Sequence, residues 1–378
     1  MQTPLHSHHE SLAARMIPFA GWTLPVQYKG IIPEHQHTRR HASLFDTCHM
    51  SEFRVRGSNA KTRLSAALAC RIRNLQPGRC RYGFILREDG GILDDLICYC
   101  IDNDEFFIVS NAGTREKVSM TLRSRLPDIE VTDISSDTAK LDIQGPQACA
   151  ALAGLAPDIR EICYFRFLRT DIAGTRAIVS RTGYTGELGY EVYSNASHAT
   201  ELWEKLLSLP GVEPAGLGAR DTLRLEMGYP LYGQDLSESV TPVEAGLEAF
   251  LPRDEQYVGM HRVQDQLASG VRRMLVGIRL DGRSSARPGS AVYINHTRVG
   301  EVTSGSFTPS LGCAISLGYV EAEHAHPDTR LELAVRSRRL EGVVEPLPFY
   351  HDGTVRADTS IKETERGSPE GSEVHQRA

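Results

Sequence analysis

At 378 residues the chain exceeds what a single hydrophobic core organises, so two or three domains are expected. Its composition, 40% hydrophobic and 24% charged, is that of an ordinary globular protein, and a net charge of −6 argues against nucleic acid or an anionic membrane as the main partner. Eight cysteines with no C-x-x-C pair read as reduced thiols in a cytoplasmic protein. Residues 1–21 carry neither a secretory apolar stretch nor a transit-type composition, and no run approaches the roughly 18 apolar residues of a membrane span.

Histidines crowd the N-terminal region at His6, His8, His9, His35, His37 and His41, without zinc-finger or H-E-x-x-H form. They are expected at the surface, and no metal is expected. A helix over Asn59–Cys70 carries the apolar stripe Leu64, Ala67, Leu68. Tyr82–Arg87, Ile92–Ile101 and Glu105–Ser110 then form a β-meander with turns at 89–91 and 102–104. The middle strand opens with Asp94 and Asp95, where unpaired charge is costly to bury. Strand alternation puts Asp95 with Ile97 and Tyr99 and Asp94 with Leu96 and Cys98, so at most one carboxylate should face a given pocket. Cys98 and Cys100, on one face, read as small buried apolar residues. Asn111 is placed to cap a helix that Pro127 closes.

Ala177–Tyr193 reads as a hairpin around the glycine-rich Thr182–Gly189, which permits close approach of backbone or ligand. Helices follow at His198–Leu207, with Ser197 as cap, and at Leu217–Met227. Leu251–Val271 reads as a connector with one helix. About six short β-runs between Arg272 and Pro346 indicate a small sandwich or barrel. Polar His351–Ala378 reads as a disordered tail. Strands and helices segregated along antiparallel sheets make the fold class α+β.

Gly216–Asp221 lacks the third glycine of a dinucleotide fingerprint and any parallel βαβ context, so that reading is rejected. Arg220 and Arg224, four apart on a helix, read as a solvated face. Yet Arg220 lies near the helix N-terminus, an unusual place for a cation unless an acidic group or carboxylate ligand meets it. Glu191 is either the solvent-facing member of an alternating strand or a carboxylate accepting two parallel N–H donors. Tyr82, Tyr99, Tyr184, Tyr190 and Tyr232 could line a flat heterocycle, or serve as ordinary core.

Together these residues resemble the glycine cleavage system T protein (aminomethyltransferase) family from Thr3-Pro4-Leu5 through Pro348-Phe349-Tyr350. The resemblance runs through Pro18–Trp22, Pro25–Tyr28, Leu44-Phe45-Asp46, His49-Met50, Gly90–Ile97 and Gln144-Gly145-Pro146. It continues in Gly183–Glu187, Gly216–Asp221, Pro230–Gly233 and Val302–Gly305. It implies a three-domain, cloverleaf-like α+β fold with antiparallel sheets and a C-terminal β-barrel. Residues 1–50 and 136–250 would form a first folate-binding domain and 51–135 an inserted second one carrying Asp95. A connector at 251–271, a barrel at 272–350 and the tail at 351–378 would follow. The implied reaction moves the methylene group of aminomethyl-dihydrolipoyl H protein to tetrahydrofolate, releasing ammonia and giving 5,10-methylenetetrahydrofolate. By resemblance Asp95 is catalytic, Glu191 and Arg220 contact substrate, and Tyr82, Met50, Asn111, Tyr184 and Tyr232 surround the folate. Cys48 stands where the family usually has serine, and Phe250 where it often has tryptophan. The family's C-terminal tyrosine beyond Pro-Phe has no clear counterpart here unless Tyr350 serves. Alternative readings are a folate-binding protein of iron–sulfur cluster maintenance, whose signature cysteine is missing from Gly228–Gly233, and a folate-dependent demethylase. A sarcosine or dimethylglycine oxidase would need a flavin domain.

Overall fold

The meander is present, as Arg79–Leu86, Ile92–Asp102 and Glu105–Ser110 paired antiparallel in that order. The computed structural model, which describes residues 1–357 and 359, adds Ser51–Arg56 and Glu130–Asp133 to complete a five-stranded sheet. Alternation gives this sheet two different faces. Leu96, Cys98, Phe53 and Ile108 pack beneath the helices Ala60–Ala67 and Arg115–Arg125 through Leu64, Val118 and Leu122. The other face, with Cys80, Tyr99, Phe107 and Val109, is covered by Phe167 and Tyr193 of a second sheet. The first helix stops at Ala67, short of Cys70, because Ala69 turns extended and exchanges two backbone hydrogen bonds with Phe84.

The second sheet has six strands in the order Phe167–Ile172, Thr175–Ser180, Gly189–Asn195, Thr138–Gln144, Ala42–Asp46 and Val212–Pro214, the last pair parallel. The chain therefore leaves it after Asp46, builds the five-stranded sheet between Ser51 and Asp133, and returns at Thr138. On its outer face Leu141, Ile143, Tyr190 and Val192 pack against Leu202, Trp203 and Leu206 of the helix Ala199–Leu207. That helix is entered through a 3₁₀ turn capped by Asn195, whose Oδ1 accepts from the Ser197 N–H (3.0 Å) and hydroxyl (2.6 Å), so Ser197 is not the cap. The inner face carries Lys140, Asp142, Glu191 and Tyr193 toward the five-stranded sheet. The glycine-rich turn closes on the protein itself: a Cβ at Gly183 or Gly189 would come within 2.1 or 2.3 Å of the Gln144 side-chain oxygen.

The C-terminal strands form a closed six-stranded barrel, Arg273–Leu280 to Arg338–Glu345, filled by Ile278, Leu280, Val292, Val302, Val320 and Leu333. Closure leaves no unpaired edge. The connector helix is Met260–Ser269. The segment after Tyr350 departs from the disordered tail expected at 351–378. Thr354 donates to the Glu187 carboxylate from N–H (3.1 Å) and hydroxyl, and the Val355 N–H to Gly186 O (3.0 Å). These backbone groups find partners on the glycine-rich turn, which polarity of composition does not reveal. The remainder of that expected tail, residue 358 and residues 360–378, lies outside the described residues. No helix among the described residues is long and apolar enough to cross a membrane.

Candidate active site

Asp94 and Asp95 meet at one amide. Asn111 Nδ2 lies 2.8 Å from Asp94 Oδ1 and 2.7 Å from Asp95 Oδ1. This corrects the expectation that the two carboxylates serve opposite faces. The register slips beside Leu93, where Ile85 faces Asp94 but Leu86 faces Ile92, and bulges re-aim side chains. The neighbouring strand also ends at Ser110, opposite Leu96, so the Asn111 side chain folds over the open ladder to reach both acids. Asn111 therefore makes no side-chain cap, contrary to its sequence reading. Asp94 is fully buried and accepts further from the Asn111 N–H (3.1 Å) and the Thr114 hydroxyl (2.6 Å). Asp95 is partly exposed and accepts from the Tyr82 hydroxyl at 2.8 Å. Burial raises both carboxyls above their ordinary range; the Asp95 charge adds to this at Asp94, while Tyr82 and Asn111 draw Asp95 back down. Of the pair, Asp95 alone offers an accessible edge.

On the inner face of the six-stranded sheet, three buried charged groups and the partly exposed Arg220 form a chain. Lys140 Nζ lies 2.7 Å from Glu191 Oε1 and 2.6 Å from Asp142 Oδ1, and Arg220 donates to Asp142 Oδ2 at 2.8 Å. Asp142 is the acidic partner that explains a cation near the start of the helix Leu217–Glu226. Glu191 is buried rather than solvent-facing, and the hydroxyls of Thr182 (2.6 Å), Tyr193 (3.0 Å) and Tyr99 (3.2 Å) complete its shell. Lys140 and Asp142 were not singled out from the sequence. Thr138–Gln144 alternates like a half-exposed strand, and two opposite charges two residues apart were its only signal.

The remaining candidates divide. Tyr184 lies under the Arg220 guanidinium, 5.3 Å from its ring, and its hydroxyl donates to Pro230 O at 2.6 Å. Burial raises its phenol, with Arg224 and Arg220 lowering it and Asp95 and Asp235 raising it. Tyr232 takes a hydrogen bond from Lys117 at 2.9 Å, and Met50 packs beside Phe107 and Tyr193. Tyr99 is the support of Glu191, whereas Tyr190 points into the opposite core and leaves the proposed ring. Tyr350 lies against the Arg39 guanidinium at 4.1 Å, and Arg39 pairs with Glu187 (2.8 Å) and Glu226 (2.7 Å). Arg224 is not on a solvated face: it is 1% exposed and bonds Asp235 (2.7 Å) and Ser304 (2.8 Å) of the neighbouring loop and barrel. His9 and His35 likewise are buried, paired with Asp46 (2.8 Å) and Glu226 (3.3 Å), because each has an acid to satisfy its ring nitrogen. Gly216 admits the Val26 backbone where a Cβ would sit, so its glycine serves packing.

A cavity of about 400 Å³ beside Ala112 and Gly113 is lined by Trp22, His49 and Arg115. Burial pushes the His49 imidazole down to about 4, with Asp46 opposing and Arg220 and Lys140 adding to the effect. The unfolded chain therefore takes up this proton first. Stability is lost as pH falls from about 6.5 toward about 4, by up to roughly 1.4 kcal/mol per pH unit. His49→Gln should remove this component in urea unfolding compared near pH 7 and near pH 5. A wild-type-minus-variant difference that stays constant with pH would show that His49 does not titrate there.

Family models match in the same order as these structures. The "GCVT N-terminal domain" covers residues 5–255, and the "Glycine cleavage T-protein C-terminal barrel domain" covers residues 273–351. The chain belongs to the glycine cleavage T-protein family. An aminomethyltransferase of Rubrobacter xylanophilus is 42% identical over 92% of this chain and 94% of its own length. One from Synechococcus elongatus is 42% identical over 94% and 98%. The crystal structure of glycine cleavage system aminomethyltransferase T from Bartonella henselae superimposes with a TM-score of 0.89 at 34% identity, over 94% of this chain and 99% of that one. The T-protein fold is thus the α+β fold with a C-terminal barrel implied by the resemblance.

Proposed function

We propose that this aminomethyltransferase takes the methylene group from the aminomethyl-dihydrolipoyl arm of a lipoylated H protein and delivers it to tetrahydrofolate. Ammonia is released and 5,10-methylenetetrahydrofolate is formed. The observation that carries the reading is the partly exposed Asp95 carboxylate, fixed by Tyr82 and Asn111, in a protein that also holds the Glu191–Lys140–Asp142–Arg220 chain. Residues 1–50 and 136–250 are read as one folate-binding domain and 51–135 as the other, with tetrahydrofolate held between them. Residues 251–271 are the connector and 272–350 the barrel domain.

The pterin edge presents paired N–H donors, which Glu191 accepts. Arg220 meets the carboxylate-bearing end of the substrate, and Tyr184, Tyr232 and Met50 pack against the flat rings. N5 attacks the methylene carbon as an unprotonated amine and the carbon–nitrogen bond breaks, the N5 proton leaving with ammonia. N10 then attacks the same carbon as the carbon–sulfur bond breaks, its proton passing to the sulfur of the freed dihydrolipoyl arm. Asp95 orients the folate for that attack and relays protons as ammonia leaves. Asp94, closed off from solvent, holds Asn111 in place.

The decisive test is ammonia release from aminomethylated H protein with and without tetrahydrofolate. Strong folate dependence is expected. Release at the same rate without folate, or no release at all, rejects the transferase reading. Glu191→Ala should weaken tetrahydrofolate binding by about 1.5–3 kcal/mol in calorimetry, the range of hydrogen bonds to a charged group. Unchanged affinity would remove Glu191 from the pterin edge.

A further inference from the structure

Glu52 is fully buried, and neither of its carboxylate oxygens has a hydrogen-bond partner. Its own backbone groups are well satisfied: its N–H donates to Ser135 Oγ at 2.9 Å and its carbonyl accepts from the Ile134 N–H at 2.9 Å. The side chain shares a face with Val109, the residue opposite it, so it enters the space between the two sheets. The charged groups around it are Lys140 and Arg115, which favour its ionised form, and Asp133 and Glu191, which oppose it. Burial dominates and raises its carboxyl well above the ordinary range. Burial disfavours charge on this carboxyl, and its two idle oxygens leave a place for a cation.

Glu191 supplies the reason. A carboxylate has about four acceptor sites, and Lys140, Thr182, Tyr193 and Tyr99 already donate to this one. A paired N–H edge that takes both oxygens has to displace some of them. The hydroxyls have other partners at hand, since Tyr99 and Tyr193 lie 2.9 Å apart and Ser180 and Thr182 2.6 Å apart. Lys140 does not find a second anion: it would keep the neutral Thr47 hydroxyl at 3.2 Å and Asp142, whose charge Arg220 also claims.

We propose that Glu52 is the reserve counter-ion of Lys140, so that when the pterin edge takes Glu191 the ammonium turns to Glu52 and folate binding releases a proton. The inference rests on the reading of Glu191 given above. No covalent bond changes: the Glu52 proton passes to solvent, the freed carboxylate pairs with Lys140, and the buried charge of the site stays balanced. Glu52 is a positioning residue. It lets Glu191 change partners without stranding a buried cation, which would otherwise oppose binding.

Calorimetric titration of the full chain with tetrahydrofolate, in two buffers of different ionisation enthalpy near pH 7, reads the proton directly. About one proton released per folate is expected, and affinity should rise up to tenfold per pH unit while Glu52 is protonated. Glu52→Gln should bind folate with no proton released and a flat affinity profile. Infrared difference spectra of the wild type should lose a carboxylic-acid carbonyl band on binding, which keeps the inference testable should the variant fold poorly. Binding without proton release in wild type, or release that persists in Glu52→Gln, would overturn it. Unchanged affinity in Glu191→Gln would instead overturn the pterin contact, and absence of any folate binding the proposed function.

Discussion

Asp95→Asn should bind tetrahydrofolate as the wild type does and turn over about 10²-fold more slowly or worse. Amide for carboxylate preserves shape, so the Tyr82 and Asn111 contacts at 2.8 and 2.7 Å lose charge more than position. The proton relay has no substitute nearby, because Asp94 is sealed from solvent behind Asn111 and Thr114. A factor of about 10²–10⁴ is usual for a positioned acid or base. Steady-state assays with aminomethylated H protein, paired with calorimetry, separate the two effects. Unchanged turnover would remove Asp95 from the reaction, and lost affinity with normal turnover would make it a binding residue.

Arg224→Met should cost about 3–5 kcal/mol of stability, the range for breaking a buried ion pair from one side. Asp235 is buried as well, and the guanidinium also reaches Tyr229 O at 3.0 Å and Ser304 at 2.8 Å. These contacts tie the helix that carries Arg220 to the barrel. A solvated arginine, as helical spacing alone implies, would change stability by no more than about 0.5 kcal/mol. Urea midpoints at constant slope distinguish the two, and a shift within the smaller range would refute the anchoring role.

Much of the architecture was legible because local patterns and long-range packing agree. The meander around Asp94 and Asp95, the helix Leu217–Glu226 and the barrel all follow from alternation and turn residues. Most of what failed shares one physical cause. Patterning separates apolar from polar faces but does not say whether a polar face meets water or another polar face. Lys140, Asp142, Glu191 and Arg224 all carry the marks of exposure, yet each is buried against a charge contributed by a distant part of the chain. The aspartate pair failed differently. A single slip of register beside Leu93, together with an asparagine one residue past a strand end, brought together two groups that strict alternation separates.

The interleaved connection has a consequence for synthesis on the ribosome. Every strand of the Asp95 sheet lies between Ser51 and Asp133, so its ladder needs nothing that has not yet been translated. Ala42–Asp46 emerges earlier but pairs only with Thr138–Gln144 and Val212–Pro214. At roughly 5–20 residues per second it stays unpaired for several seconds at least. The half that carries Asp95 is thus free to take shape while the half that carries Glu191 is still being made, and its apolar inner face waits exposed for Tyr193 and Phe167. Vectorial growth therefore makes that waiting surface, and not the finished molecule, the point at which a nascent chain is most exposed to misassociation.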